Sequence, residues 1–199
     1  MSGTMIRALL LLLVLCPPAI AEIIRPDPLI GRINHAGYER RSHCTGFLVE
    51  GGHLVTAAHC MPNAERSVHF LAGYDRAAFM AHIERPKENF LIVRGRDIAV
   101  LCNAVADRSG LPWLEAQPDP AEPVTILGYA SPRSHVLQRK QCEVIRAARG
   151  EMRIGCPLAP GNSGGPVLWN GKVVGVVSAT SQSMARAYLL EPRFLDACR

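Results

Sequence analysis

Short apolar runs separated by turn residues fill most of the chain and predict an all-β protein. Clusters of Gly, Pro, Asn and Asp bound the runs, which is the pattern of β-sandwiches and β-barrels. The predicted strands are residues 45–49, 53–56, 68–71, 98–101, 124–128, 142–147, 173–178 and 185–190. Hairpin turns are predicted at residues 50–52, 149–151 and 170–171. Pro192 opens a predicted short helix over residues 192–198.

A proline-rich stretch divides this pattern into two halves of similar size. Residues 109–123 contain four prolines and show no hydrophobic period. This composition predicts a connector between a first β unit, at about 30–108, and a second, at about 124–190.

The first 21 residues have the features of a secretory signal peptide. Arg7 precedes an apolar run over residues 8–15, and the small-residue pattern at residues 19–21 predicts cleavage before Glu22. A membrane anchor is the alternative, but the run is much shorter than the roughly 20 residues that span a bilayer. Cys16 is a poor lipoprotein cysteine because Leu15 precedes it. We therefore expect residues 22–199 to form a secreted or periplasmic domain without a stable membrane anchor.

Composition and charge indicate an ordinary globular domain and argue against nucleic-acid binding. The 199 residues are 48% hydrophobic and 20% charged, and the net charge of +5 falls to +4 once Arg7 is removed. Basic residues are scattered, with no interleaved aromatic side chains on which bases would stack. We expect a monomer whose partner is a peptide or protein substrate.

Six cysteines remain after signal cleavage, and an even number in an exported chain indicates three disulfides. They are Cys44, Cys60, Cys102, Cys142, Cys156 and Cys198. The alternative is a metal or redox protein built on the pairs His43-Cys44 and His59-Cys60. Zinc sites usually space paired ligands by two to four residues, and adjacent side chains on an extended segment point to opposite faces. We therefore expect no metal and no cofactor.

One stretch, APGNSGGPVL at residues 159–168, places Ser163 among three glycines. A nucleophilic serine needs a base, and the base needs a group that orients it. His59 ends an apolar run in VTAAHC, and Asp97 precedes another in GRDIAVLC. In a glycine turn, the amides of Gly161 and Ser163 can converge on one point and form an oxyanion hole. Each feature is weak alone, but together they supply a nucleophile, a base and an orienting acid.

The blocks TAAHC, DIAVL and GNSGGPV resemble the three active-site blocks of the trypsin-like (chymotrypsin-fold) serine proteases, in the same order, and the resemblance extends over most of residues 30–190. It implies two six-stranded antiparallel β-barrels with the active site in the cleft between them. It also implies that His59 is the general base, that Asp97 orients it and that Ser163 is the nucleophile.

The same resemblance assigns further roles. The amides of Gly161 and Ser163 are expected to bind the oxyanion, and the hydroxyl of Ser178 is expected to support Asp97. Cys44 and Cys60 match the family disulfide that brackets the histidine. The pairing of the other four cysteines stays open at this point. A hairpin through residues 149–150 would bring Cys142 to Cys156, and Cys102 would then pair with Cys198 by elimination.

Asn162 departs from the digestive members of the family, in which an aspartate at this position pairs with a newly released N-terminal amine. The chain here resembles bacterial exported enzymes of the glutamyl endopeptidase and Htr kinds. Because Asn162 carries no charge, we expect activity without a buried terminal amine, with hydrogen bonds inside the loop holding its shape.

The predicted substrate pocket contains no acid. Pro157 stands where relatives that accept basic side chains have an aspartate, and residues 156–161 and 178–187 contain no Asp or Glu. Thr180 is expected to narrow the pocket. An unpaired cation in such a slot is costly, so cleavage after Lys or Arg is not expected. A small or medium apolar residue is favoured, with an acidic one as the alternative.

These observations predict an exported serine endopeptidase that hydrolyses peptide bonds through an acyl-enzyme on Ser163. The alternative is a catalytically silent protease homologue that acts as a binding module. Loss of a triad member would indicate that alternative, and none is lost.

Overall fold

The computed structural model describes residues 21–34, 43–61, 67–181 and 183–198, except for the side chain of residue 180. The predicted signal peptide, up to residue 20, lies outside the described residues, as does the side chain of Thr180. Within the described ranges, no helix has the length and apolar character needed to cross a membrane.

The described residues form fourteen β-strands and one short α-helix. The strands are β1 (Glu22–Ile23), β2 (Ile30–Asn34), β3 (His43–Val49), β4 (His53–Thr56), β5 (Ser67–Ala72), β6 (Ala81–Pro86), β7 (Phe90–Ile92), β8 (Ala99–Leu101), β9 (Pro123–Gly128), β10 (Gln138–Ala148), β11 (Glu151–Ile154), β12 (Pro166–Trp169), β13 (Lys172–Thr180) and β14 (Ala185–Leu189). The helix α1 is Pro192–Asp196. All eight predicted runs contain strand residues, and Pro192 opens the helix as predicted.

The second half of the chain closes into a six-stranded antiparallel barrel. Its strands follow the order β9, β10, β11, β14, β13 and β12, and β12 pairs back onto β9. Arg149 and Gly150, and likewise Asn170 and Gly171, have positive φ angles, as tight two-residue hairpin turns require. Val, Ile, Leu and Met side chains fill the interior, including the fully buried Met152.

The first half forms a curled half-barrel rather than a second closed six-stranded barrel. Seven antiparallel strands follow the order β6, β5, β2, β3, β4, β8 and β7. Strand β7 folds back on β8 through a turn at Gly95, so both edges of β8 are occupied, by β4 and β7. Strand β6 therefore has no place beside β8. It ends the sheet in the described part of the chain, and its residues are mostly exposed.

One buried apolar cluster joins the two halves. Phe47 and Val100 contribute from the half-barrel, and Tyr129 and Val176 contribute from the barrel side. The proline-rich stretch crosses between the halves: the Leu111 amide donates to the Leu48 carbonyl at 2.8 Å, and the Leu114 amide to the Val173 carbonyl at 2.9 Å. Apolar burial and these backbone bonds hold the two units in contact.

Three disulfides are present, in the predicted pairing. Cys44 on β3 is bonded to Cys60, Cys142 on β10 to Cys156, and Cys102 to Cys198. The last bond has a sequence separation of 96 residues and attaches the segment after α1 to the half-barrel. All six cysteines of the predicted mature chain are therefore used.

Candidate active site

His59 lies in a single 3₁₀ turn that follows β4. The turn spans Ala58–Cys60, and the disulfide from Cys60 to Cys44 fixes it against β3. Nearly half of the His59 side-chain surface is exposed. A half-exposed imidazole on an anchored turn is accessible to a ligand while its backbone is held in place.

The Asp97 carboxylate collects three hydrogen bonds. The His59 imidazole donates from Nδ1 to Oδ2 at 2.6 Å, and the His59 backbone amide donates to Oδ1 at 2.8 Å. The Ser178 hydroxyl donates to Oδ2 at 2.6 Å. Because Ser178 belongs to β13 of the barrel, the carboxylate ties the half-barrel to the barrel. It also leaves Nε2 of His59 as the basic nitrogen.

These contacts shift both ionisation equilibria. The hydrogen bond to Asp97, helped by its negative charge, raises the pKa of His59, although partial burial opposes the shift. Burial is the largest influence on Asp97 and on its own raises its pKa. The hydrogen bonds from His59 and Ser178 outweigh it, so the pKa of Asp97 lies below its usual value. Asp97 is thus held ionised beside a histidine of increased basicity.

Ser163 sits in a loop whose shape requires glycine. Gly161 has φ of +100° and Gly164 has φ of +79°, both in the left-handed region. A Cβ at Gly161 would lie 2.2 Å from the Tyr129 carbonyl oxygen, and one at Gly164 2.2 Å from the Thr45 carbonyl oxygen. No other residue type fits at either position. The motif glycines therefore hold the loop tightly against its neighbours.

The Ser163 hydroxyl points toward the barrel rather than toward the imidazole. Its Oγ donates to the Ser178 carbonyl at 3.3 Å, and among the described residues no hydrogen bond joins it to His59. The amides of Gly161 and Ser163 donate to no acceptor in the described part of the chain, whereas the Asn162 and Gly164 amides donate to Ala159 and Val177. Both predicted oxyanion donors therefore keep their N–H groups available.

Thr45 of β3 holds this loop from across the interface. Its hydroxyl donates to the Gly161 carbonyl at 2.7 Å and accepts from the Tyr129 amide at 3.0 Å. The Thr45 amide donates to the Ser163 carbonyl at 2.8 Å. The side chain is fully buried. His43 adds a bond from Nε2 to the Tyr129 carbonyl at 2.7 Å. The sequence analysis missed Thr45 and His43, because nothing local marks a strand residue that bonds to a segment 116 or 86 positions away.

Asn162 is buried and bonds inside its own loop. Its side-chain amide donates to the Ala159 carbonyl at 3.3 Å. Glu22, where the mature chain is predicted to begin, lies instead on β1, pairs with Arg139 of β10 and is exposed. The residue that would carry a new terminal amine is therefore engaged with β10 at the barrel edge.

Cys44, Cys60 and His59 do not form a zinc site. The sulfur atoms of Cys44 and Cys60 lie close to the His59 ring, but they are bonded to each other. A disulfide sulfur is not the thiolate that zinc binds. The Cys/His alternative is wrong at these pairs.

The family model for the trypsin-like peptidase domain matches residues 44–176. The chain belongs to the trypsin-like peptidase family. The match spans the segments that carry His59, Asp97 and Ser163, and it ends within β13 just before Ser178.

Solved structures share the fold of this trypsin-like peptidase. The protease Anisep from Arthrobacter nicotinovorans is 17% identical, with a TM-score of 0.65 over 85% of this chain and 93% of that one. Neuropsin, a serine protease expressed in the limbic system of mouse brain, is 18% identical, with a TM-score of 0.65 over 85% and 93%. Human heparin binding protein is 18% identical, with a TM-score of 0.66 over 85% and 90%. Comparison with curated protein sequences gave no match.

The predicted pocket of the trypsin-like peptidase has a cation beside it. Pro157 is exposed, and its carbonyl accepts a hydrogen bond from the Lys140 ammonium on β10. Burial lowers the pKa of Lys140. Sequence reasoning considered only residues 156–161 and 178–187 as pocket walls, so it missed a lysine contributed by a neighbouring strand.

The His59–Asp97 hydrogen bond predicts that neutralising Asp97 lowers the pKa of His59. In the Ser163→Ala protein, NMR titration of the His59 ring should give a pKa above the ordinary histidine value of about 6.5. Asp97→Asn should lower it, because the amide neither carries charge nor stabilises the imidazolium. The charge-matched control is Asp107→Asn, at a fully exposed aspartate, and it should leave the titration unchanged. An unaltered His59 pKa in Asp97→Asn would show that the bond does not control its basicity.

Proposed function

We propose that this trypsin-like peptidase is an exported serine endopeptidase that hydrolyses peptide bonds through an acyl-enzyme on Ser163. One observation carries the proposal: the Asp97 carboxylate holds His59 Nδ1 at 2.6 Å and thereby presents Nε2 as a base. The family match supports a serine protease, and the three disulfides fit an oxidising, extracytoplasmic location.

In the first step, Ser163 Oγ attacks the carbonyl carbon of the scissile bond and His59 Nε2 takes the hydroxyl proton. The carbonyl oxygen becomes an oxyanion, and the amides of Gly161 and Ser163 are the donors available to it. Collapse of the tetrahedral intermediate breaks the C–N bond as His59 returns the proton to the leaving amine. The acyl group then remains as an ester on Ser163.

In the second step, water replaces the amine. His59 removes a proton from the water as its oxygen attacks the ester carbonyl, and the same amides stabilise the second oxyanion. When the intermediate collapses, the proton returns to Ser163 Oγ and a carboxylic acid leaves. Asp97 remains ionised throughout and stabilises the imidazolium, consistent with its lowered pKa.

The Ser163 hydroxyl must turn before it attacks. It bonds the Ser178 carbonyl at 3.3 Å, which is a long hydrogen bond, and a change in its χ1 rotamer redirects Oγ without backbone movement. Catalytic hydrogen bonds often tighten only in the substrate complex. We infer that substrate binding displaces the bond to Ser178 and brings Oγ to His59.

Thr45 is proposed to be a positioning residue for the oxyanion loop. Where an ion pair with a terminal amine is absent, some other interaction must fix the Gly161 carbonyl so that its neighbouring amides face the substrate. The Thr45 hydroxyl, held between Gly161 and Tyr129, supplies that restraint in addition to the bonds within the loop. This extends the earlier expectation, which considered loop bonds alone.

The substrate pocket beside Pro157 is expected to reject basic side chains at the cleaved position. Pro157 brings no acid, and Lys140 beside it adds a positive charge that would repel Lys or Arg. A small or medium apolar residue remains our first choice, with an acidic residue as the alternative that Lys140 favours.

A silent homologue acting as a binding module is the second candidate. The observation that favours it is the Ser163 hydroxyl, which bonds Ser178 rather than His59. The two candidates differ in whether Ser163 reacts as a nucleophile.

Reaction with a fluorophosphonate probe separates the two. The probe should label the wild-type protein once, because Ser163 displaces fluoride from phosphorus. Labelling and peptidase activity should both disappear in Ser163→Ala and His59→Ala, and Asp97→Asn should lower activity by about 10⁴-fold. Ser109→Ala, at an exposed serine, serves as the control and should retain both. Full activity in any triad variant would disprove the assignment, and an unlabelled, inactive wild type would favour the binding module.

Thr45→Val should reduce kcat by roughly 10- to 100-fold with a small change in KM, because a displaced oxyanion loop weakens transition-state binding more than substrate binding. Thr45→Ser keeps the hydroxyl and should recover most of the rate. The same substitution at Thr125 of β9, whose hydroxyl bonds Gln141, should have no effect. Steady-state kinetics on one peptide provide the comparison. Equal losses in Thr45→Val and Thr45→Ser would assign the effect to packing instead.

Cleavage profiling on a random peptide library tests the pocket. We expect no cleavage after Lys or Arg and a preference for small or medium apolar residues. In Lys140→Met any cleavage after acidic residues should fall, because the ammonium that attracts them is gone, while apolar cleavage persists. Gln141→Met, on the adjacent strand position, is the control. A dominant Lys or Arg preference in the wild type would refute this account of the pocket.

A further inference from the structure

A second cluster of potential ligands lies on the half-barrel, outside the triad. His69 on β5 pairs directly with Glu84 on β6, and His82 is two residues before Glu84. Residues two apart on a strand share a face, and directly paired residues on antiparallel strands share it too. All three side chains therefore project from the same face of the β5–β6 pair.

The ligand atoms of this cluster converge. His69 Nδ1 lies 3.0 Å from His82 Nε2 and 3.9 Å from Glu84 Oε2, and the three atoms all fall within 4.8 Å of one another. Zinc bonds to imidazole nitrogen and carboxylate oxygen of about 2.0–2.2 Å place tetrahedral ligands roughly 3.3 Å apart. Small side-chain rotations therefore bring the three atoms to the separation that zinc requires.

Neighbouring contacts orient the two imidazoles. The His69 and His82 rings stack with centroids 5.2 Å apart, and Phe79 packs edge-on against His82 at 5.8 Å. The His69 side chain is mostly buried, whereas Glu84 is half exposed. Ordered rings limit the entropy lost on binding, and the exposed side gives an ion an entry path.

We propose that His69, His82 and Glu84 bind one zinc ion, with water in the fourth position, and that the ion joins β6 to β5. Two imidazoles and one carboxylate are a zinc donor set, while Mg²⁺ and Ca²⁺ select oxygen ligands. In the described part of the chain β6 is an end strand of the sheet and pairs with β5 alone, so a metal bridge adds a second link between these two strands. This site is independent of the proposed protease activity.

Isothermal titration of the purified, EDTA-treated protein with ZnCl₂ tests the site. We expect one equivalent of Zn²⁺ to bind, with no binding of Mg²⁺ or Ca²⁺. The melting temperature should rise by about 5–10 °C at a zinc concentration a hundredfold above Kd. His82→Ala and Glu84→Gln should each weaken binding by more than tenfold and abolish the rise.

Three variants make the result specific. Glu88→Gln removes the same charge from the exposed turn after β6 and should bind like the wild type. Glu84→His replaces one zinc ligand with another and should retain binding. His59→Ala should also retain it, because the triad is not the proposed site. Absence of stoichiometric binding in the wild type, or undiminished binding in His82→Ala, would overturn the proposal. Because both His82 and Glu84 are exposed, melting curves without zinc should match the wild type and confirm that the variants fold.

Discussion

The alignment of the proposed active site depends on a few hydrogen bonds that cross from the half-barrel to the barrel. His59 and Asp97 belong to the first unit and Ser163 and Ser178 to the second, so no local segment contains all four. Thr45 donates from its amide to Ser163 and from its hydroxyl to Gly161, and Ser178 donates to Asp97. Because Thr45, Gly161 and Ser178 are buried, a lost partner would leave an unsatisfied polar atom, which costs more than the bond itself gains. These hydrogen bonds therefore hold the two units in one relative position at the proposed active site.

Close packing makes these crossings possible. Gly161, Gly164 and Gly128 lie where added Cβ atoms would meet the backbone or polar atoms of adjacent segments. Below them, the shared apolar cluster supplies the nonspecific attraction between the units. Apolar contact alone would allow one unit to shift slightly against the other. The directional hydrogen bonds made by Thr45 and Asp97 fix one relative position of the two units.

Features set by neighbouring residues could be predicted from the sequence, whereas features set by contacts between distant segments could not. Apolar runs marked eight of the fourteen strands, and six were not predicted: β1, β2, β6, β7, β11 and β12. Strand β6 was missed because its residues, AHIERP, are mostly exposed and carry little apolar signal. The half-barrel also departs from the closed barrel that the family resemblance implied. Strand β8 pairs with β7 instead of closing the barrel, and composition alone does not reveal which strands pair.

The same distinction holds at the site. His59, Asp97, Ser163 and their glycines stand in short recognisable blocks, and the structure brings His59, Asp97 and Ser178 into hydrogen-bond contact. Thr45 and His43 bond residues 116 and 86 positions away, and Lys140 of β10 bonds Pro157, outside its own strand, so only the folded chain relates them to the site. The His69, His82 and Glu84 cluster has the same origin, because its side chains come together only when β5 and β6 pair.

Trapping the covalent intermediate is the most direct test of catalysis through Ser163. Rapid acid quenching during turnover of an activated acetyl ester, followed by intact mass measurement and peptide mapping, should show one acetyl group on Ser163 before the steady state. Turnover without that acyl-enzyme, or acetylation at another residue, would contradict the account.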